Sequence, residues 1–322
     1  MQNTLLVFTF GFLLLLFSSG CQPPPDLADM ESSFQTGDCQ SCHSTIWKEW
    51  ARSLHAKSWT NPIYQQMAKD FPNRVETCDP CHSPKPILVT GLGKMPQLRQ
   101  ERKDSGVNCL TCHVDSKGAM HGPKGFQSAE FHLNVEDPNY AQNPTQLCAS
   151  CHGQPSVAAH QQIIDWQLPE NKNQKCTTCH MSSVNRLHSN QSYNPKKGRK
   201  HTWKGSRSLS MLKRSAKLTI QRDNDKATIT VVNKTGHHLP GDGLRAVILE
   251  VTFNSEVKHH IFSAKIGGDG LSLEVDNRLK LKQSKDFYFV VPNNQPIKAK
   301  LFYRLLPYQD KTEWIEIMST DG

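Results

Sequence analysis

Ten of the eleven cysteines in this 322-residue chain fall into one pattern repeated five times, Cys-x-x-Cys-His. The copies are Cys39/Cys42/His43, Cys78/Cys81/His82, Cys109/Cys112/His113, Cys148/Cys151/His152 and Cys176/Cys179/His180. Two thiols at this spacing suit thioether bonds to the two vinyl groups of one haem. The histidine that follows then turns its imidazole to the iron as proximal ligand. Competing uses of the pattern fail. A redox Cys-x-x-Cys needs neither the following histidine nor five copies. Zinc takes four ligands from paired motifs, and five pairs with five adjacent histidines make no tetrahedral set. A disulfide framework leaves the histidines unexplained. The sequence therefore predicts five covalent haem c groups.

That cofactor load changes how composition and charge are read. Only 36% of residues are hydrophobic, against about 45–50% apolar usage in ordinary globular domains. Apolar porphyrin faces would fill the difference, so the chain is not expected to fold without them. The formal net charge of +9 invites a nucleic-acid partner. Two propionates per haem contribute roughly ten negative charges, which offset that excess, and no aromatic-interleaved basic motif is present. Nucleic acid is thus not an expected partner.

The eleventh cysteine marks the N-terminus. Leu5–Phe17 is almost wholly apolar and is followed by Ser18-Ser19-Gly20-Cys21. Such a run, about thirteen residues, is too short for a spanning helix but suits the core of a signal peptide. Residues 1–20 read as a lipoprotein-type signal, with Cys21 as the lipidated first residue of the mature chain. Ser18 stands where such sites usually carry Leu, and no Lys or Arg precedes the apolar run. A plain secretory signal cut nearby is the alternative. Gln22, in place of the Asp that retains lipoproteins at the inner membrane, points to the outer membrane. The expected location is the periplasmic side of the cell envelope, with a membrane contact through the lipid.

The fold class expected is α+β. Residues 21–37, with Pro23-Pro24-Pro25, read as a linker. Residues 38–190 read as a pentahaem domain of short helices and loops wound around haems, with the clearest helix over Ser44–Trp59. Residues 191–215 carry Lys196, Lys197, Arg199, Lys200, Lys204, Arg207, Lys213 and Arg214 and read as a basic connector. From 216 to 322 the pattern is β, with about seven short runs rich in Val, Ile, Leu, Phe and Thr between turn residues such as Asn-Asp. A C-terminal β-sandwich is predicted.

A haem used only to move electrons usually keeps both axial positions filled. Ten histidines lie outside the motifs: His55, His121, His132, His160, His188, His201, His237, His238, His259 and His260. They more than suffice for five distal ligands, and His259 and His260, in a strand region, read as structural.

The segment Cys39-Gln-Ser-Cys-His-Ser-Thr-Ile-Trp-Lys-Glu-Trp-Ala-Arg-Ser-Leu-His55 resembles the opening haem motif of the tetrahaem cytochrome c family of ammonia-oxidising bacteria. The likeness continues at Gly106-Val-Asn-Cys109 and at Leu147-Cys148-Ala-Ser-Cys-His. It implies that His55 is a distal ligand to a haem other than its own, and that His121, a short loop after the third motif, is another. The family packs haems in close pairs, which implies a continuous electron path. The segments His201-Thr-Trp-Lys-Gly and Asn233-Lys-Thr-Gly-His237-His238-Leu-Pro-Gly resemble those of multihaem cytochromes with a β-rich tail. They offer His201 and His237 as distal candidates, with His238 as the alternate. Arg207 stands near the place where a further His is common. His132, His160 and His188 remain candidates for the fifth position.

The resulting expectation is a pentahaem c-type cytochrome that carries electrons between a donor and an acceptor protein. The alternative is an oxidoreductase with one open haem acting on a small nitrogen or sulfur compound. No catalytic side chain stands out in the sequence.

Overall fold

The computed structural model describes residues 25–71, 73–125, 131–154, 162–167, 174–268, 272–292 and 295–322, so Cys21 and His160 lie outside the described residues. An α-rich N-terminal region precedes a β-rich C-terminal one. Among the described residues no helix is long and apolar enough to cross a membrane.

The stretch expected to be a linker is helical over Leu27–Thr36. Asp26 and Asp29 exchange side-chain to backbone hydrogen bonds at its start, and Gly37, at φ +90°, closes it. Met30 and Phe34, one turn apart, are buried against Trp50. The Phe34 ring lies 5.3 Å from Trp47 and 5.6 Å from Trp50. This packing also explains why the next long helix is shorter than the periodicity predicts. Ser44–Ala51 is helical, and Ser53 N–H then donates to Trp50 O at 2.8 Å, turning the chain off the helix axis. His55 follows in a run of turns.

Two small sheets brace the helical region. Strands β1 (Met120–Gly122) and β2 (Asn134–Glu136) pair in parallel. Strands β3 (Ser183–Arg186) and β4 (Lys196–Arg199) pair antiparallel. The expected connector is therefore part of the structure. It supplies β4 and the helix Leu209–Ser215, and Arg199 Nη1 lies 3.4 Å from both Thr177 O and Met181 O beside the fifth motif.

The C-terminal region holds strands β5 (Ala216–Asp223), β6 (Lys226–Asn233), β7 (Ala246–Phe253), β8 (Glu256–Ile266), β9 (Leu273–Asp276), β10 (Ser284–Val290), β11 (Ile297–Arg304) and β12 (Ile315–Asp321). They form a three-stranded sheet ordered β10-β6-β5 and a five-stranded sheet ordered β12-β11-β7-β8-β9. The β5–β6 and β7–β8 hairpins turn on two residues each, and Asn224, Asn254 and Ser255 adopt positive φ there, as tight hairpin turns require. Ala227, Ile229 and Val231 of β6 meet Val247, Leu249 and Val251 of β7 and Leu301 of β11 in one core between the sheets. Ile229, Val231 and Leu301 are fully buried, each worth roughly 1.5–3 kcal/mol against exposure. β7 is buried on both faces, because Ala246 and Ile248 pack on Phe302 and Trp314 across the outer side of the sheet.

Candidate haem-binding site

Each motif lies on a short helical segment: Asp38–Cys42, Asp79–His82, Cys109–His113, Thr145–His152 and Cys176–His180. One helical turn puts cysteines i and i+3 on a common face and carries the histidine just beyond them. Asn108 and Thr111 cap the third motif reciprocally, and Trp50 Nε1–H donates to Val107 O at 2.8 Å, seating the Gly-Val-Asn lead-in. Burial pushes the Cys109 thiol up to about 12 and the Cys112 thiol up to about 11.

Four of the five motif histidines share one hydrogen-bonding habit. His43 Nδ1 lies 2.7 Å from His188 O, His82 Nδ1 2.9 Å from Ser58 O, His113 Nδ1 2.8 Å from His121 O, and His180 Nδ1 2.7 Å from Lys204 O. A carbonyl only accepts, so Nδ1 carries the hydrogen in each and Nε2 keeps the lone pair a metal needs.

Four motif imidazoles face a second imidazole. The ring centroids of His43 and His132 are 6.3 Å apart, those of His55 and His152 6.3 Å, those of His113 and His201 6.2 Å, and those of His180 and His237 6.4 Å. A metal–imidazole bond of about 2.0–2.1 Å, plus roughly 1.1 Å from nitrogen to ring centre, puts two axial rings about 6.2–6.4 Å apart across one ion. The four gaps have the span of an iron with two imidazoles.

The facing rings are held in the form that can bind. Burial, reinforced by the neighbouring imidazoles of His152, His180 and His82, pushes His55 down to about 3. Burial and His113 push His201 down to about 3. Burial also lowers His132 and His237. All four rings are therefore neutral near pH 7. His55 Nδ1 and His132 Nδ1 are buried with no hydrogen-bond partner, a polar atom left over where the histidine has another task. These residues fit the haem groups that the motifs imply.

Residues 38–114 match the family profile described as cytochrome c554 and c-prime. Over that span the chain is similar to multihaem c-type cytochromes. A penta-heme cytochrome c552 from Thermochromatium tepidum overlays on the chain with a TM-score of 0.61 at 18% identity, covering 89% of this chain and 98% of that one. A β-1,3-glucan binding domain of carbohydrate-binding module family 56 overlays 33% of this chain and 96% of its own at a TM-score of 0.18 and 6% identity, too poorly to bear on function. No curated protein sequence matches the chain.

The structure places the remaining motif residues and candidate histidines as follows. The ten motif cysteines are not equally enclosed: Cys179 is exposed, whereas the other nine are half-buried. The fifth motif turns Thr177 inward, where it is buried. Cys179, two residues further on, lies about 200° around the helix and so faces outward. A thioether at Cys179 would therefore sit at the rim of the domain and not inside it. His121 faces no motif imidazole: its Nε2 lies 3.1 Å from Asp115 Oδ2 and its Nδ1 3.1 Å from Asp137 Oδ2. His238 Nδ1 lies 2.7 Å from Asp165 Oδ2, and its N–H also donates to that oxygen at 3.0 Å, so of the adjacent pair it is His237 that faces His180. His188 offers its peptide oxygen to His43. In the β region His259 Nε2 lies 2.9 Å from Glu250 Oε2, and His260 packs on Phe262 and Phe287.

Other contributors have no assigned role in the sequence reading. Trp203 packs on His55 at 4.6 Å and on His201 at 5.4 Å, joining two of the facing rings. Glu49 Oε2 accepts from His201 N–H at 2.8 Å, and its Oε1 accepts from Arg186 at 2.7 Å. Tyr64 stacks on His82 at 3.5 Å while its hydroxyl donates to Asp79, which also accepts from Arg74 Nε at 2.8 Å. Asn233 holds the loop that presents His237, through amide contacts to His237 O at 2.9 Å and Leu279 O at 3.0 Å. An Asp one residue into the second motif, and an Asn ending a strand four residues before a histidine, were the available signals.

Proposed function

We propose that the protein is a pentahaem cytochrome c that carries electrons between redox proteins in the cell envelope. The observation that supports this most is the set of four imidazole pairs at 6.2–6.4 Å. In this reading the ten motif cysteines bind five haem c groups, which supply one-electron chemistry when bound. The chain's part is to hold each iron on both sides. His43, His82, His113, His152 and His180 are the proximal ligands. His132 serves the His43 iron, His201 the His113 iron, His55 the His152 iron and His237 the His180 iron. His160 is kept from the sequence as the candidate for the remaining position. His55 then caps a haem other than its own, in line with the resemblance to the tetrahaem cytochromes of ammonia oxidisers.

Two imidazoles on an iron leave no place for a small molecule and little to rearrange on reduction. That favours a carrier over a catalyst. The partners are a donor and an acceptor protein, with no role for nucleic acid. The signal segment and Cys21 support a periplasmic outer-membrane lipoprotein.

The test is a count and a titration. Iron per chain in the mature protein should be about five, and three or fewer would refute the five-haem reading. Carbon monoxide added to the dithionite-reduced protein should change the spectrum little. Binding of about one equivalent per chain, followed by turnover of nitrite or hydroxylamine with a reduced dye, would replace the carrier by an enzyme with an open haem.

A further inference from the structure

His121 offers itself in the sequence as an iron ligand, yet its imidazole is fully engaged elsewhere. One ring nitrogen lies 3.1 Å from Asp115 Oδ2 and the other 3.1 Å from Asp137 Oδ2. Both carboxylates are themselves fixed. Asp115 Oδ1 accepts from Lys117 N–H at 2.8 Å and Ala119 N–H at 3.0 Å. Asp137 Oδ1 accepts from Asn139 N–H at 2.9 Å, and Asp137 N–H donates to Gly122 O at 2.9 Å. The peptide oxygen of His121 receives His113 Nδ1 at 2.8 Å. Asp137 also starts the helix Pro138–Ala141, whose Tyr140 stacks on His113 at 5.1 Å and donates its hydroxyl to Cys112 O. Everything on this side of the third motif converges on the orientation of the His113 ring.

We infer that His121 is a positioning residue for the His113 iron site: Asp115 and Asp137 clamp its imidazole, and the clamp aims its peptide oxygen at His113 Nδ1. The inference rests on the haem reading above, with His113 as a ligand. A well-aimed Nδ1–H···O=C bond makes the ligating imidazole more basic and favours the oxidised metal. Loosening the carbonyl weakens that bond and raises the potential of this one haem. His201 occupies the facing position throughout, so the coordination number stays the same.

The experiment compares His121→Ala, His121→Gln and Asp137→Asn in the haem-loaded full chain, by redox titration, electron paramagnetic resonance and carbon monoxide binding. His121→Ala should keep its haem content, its low-spin signals and its indifference to carbon monoxide. One midpoint potential should rise, by about tenfold in the ferric-to-ferrous ratio at fixed solution potential, which is 59 mV for one electron. His121→Gln, whose amide can still donate to a carboxylate, should recover most of the shift. Asp137→Asn should shift the same haem in the same direction with His121 in place. A new high-spin signal with carbon monoxide binding in His121→Ala would make His121 a ligand and overturn the inference. So would unmoved potentials in all three variants. Peptide mapping of the wild-type protein separates the two levels: Cys109 and Cys112 found without haem would refute the haem reading itself, and the inference with it.

Discussion

Replacing His237 by Ala tests how the β region joins the motif-bearing helical region. His237 sits in the loop after β6, and its ring faces His180 at 6.4 Å with the planes 22° apart. Among the described residues no neighbour is placed to take over the position. His238 is held by Asp165 through both its ring and its N–H, and the nearest backbone beyond the ring is Gly241, where a Cβ would lie 2.7 Å from His237 Cε1. His237→Ala should therefore leave one five-coordinate iron, which binds about one equivalent of carbon monoxide after reduction. A stability cost should accompany it. His180 and His237 are 57 positions apart, and a cross-link closing a loop of that length removes about 4 kcal/mol of entropy from the unfolded chain. That value is a ceiling, because His238 on Asp165 and Trp166 against Gly236 already hold the loop. A loss of about 2 kcal/mol is expected, or roughly 3 °C in Tm for a chain of this length. His238→Ala is the control, since it destabilises the same junction and should leave the iron six-coordinate. Carbon monoxide titration read at the Soret band, with a thermal melt in parallel, measures both. An unchanged spectrum and no carbon monoxide binding in His237→Ala would refute the pairing.

Three further outcomes are expected. Gly106 has φ +57°, and a Cβ there would lie 2.6 Å from His55 O and 2.8 Å from Ala56 O, so Gly106→Ala should destabilise the protein by at least about 2 kcal/mol and move the spectrum of the haem that His55 caps; a wild-type melt would contradict this. Glu250 is buried in β7, and although burial raises its pKa, contacts with Lys311 and His259 lower it overall. Its contribution is thus present above the unfolded value of about 4.3 and lost as pH falls through the lower folded value, so Glu250→Gln should cost about 1 kcal/mol at pH 7 and progressively less as pH falls below about 4.3; denaturant melts at pH 7 and through the acid range check this, and a gap that stays constant would speak against it. Cys21→Ser should release the protein from the membrane into the soluble periplasmic fraction, because the acyl chains that hold a lipoprotein stably would be absent, and unchanged fractionation would rule out the lipid anchor.

What the sequence made legible follows from how local each signal is. Cys-x-x-Cys-His is read within five residues, because attachment of one haem needs both thiols at that spacing and the adjacent imidazole serves the same iron. How deeply each cysteine sits is not local, which is why nothing in the fifth motif set Cys179 apart from the other nine. The strands were legible because Ile229, Val231, Leu249 and Leu301 alternate toward a core shared by two sheets, and because Asn224 and Asn254 mark tight turns. The facing imidazoles were not legible by position alone. His132 and His43 are 89 residues apart, and nothing near His132 marks it, whereas His121 sits at the distance from its motif that a ligand would have. The distinguishing signal was the pair of aspartates, Asp115 and Asp137, one on each side of His121 in the chain. Trp47 and Trp50 suggested a longer helix than Ser44–Ala51, since their period serves the packing on Phe34 and not the approach to His55. The helix Leu27–Thr36 had its own marks in Asp26, Asp29 and Gly37, which the preceding proline run obscured.

The division into a haem region, a connector and a β region follows the composition but not the way the chain holds together. His201 and His237 both lie after the fifth motif, and they face His113 and His180. The strand Lys196–Arg199 pairs back onto Ser183–Arg186, Arg199 reaches Thr177 O and Met181 O, and Lys204 O receives His180 Nδ1. Trp203 then links His201 to His55, at the opposite end of the haem region in sequence. A basic segment that would be a tether between independent domains is instead the wall of two imidazole pairs, and the β-sandwich supplies one ring through a loop fixed by Asn233. The sandwich has its own apolar core, and among the described residues the haem region does not have a comparable one. The two regions therefore differ in kind: the β region carries a large apolar core of its own, while the motif-bearing region has a small one and draws the His201 and His237 rings from the C-terminal half of the chain.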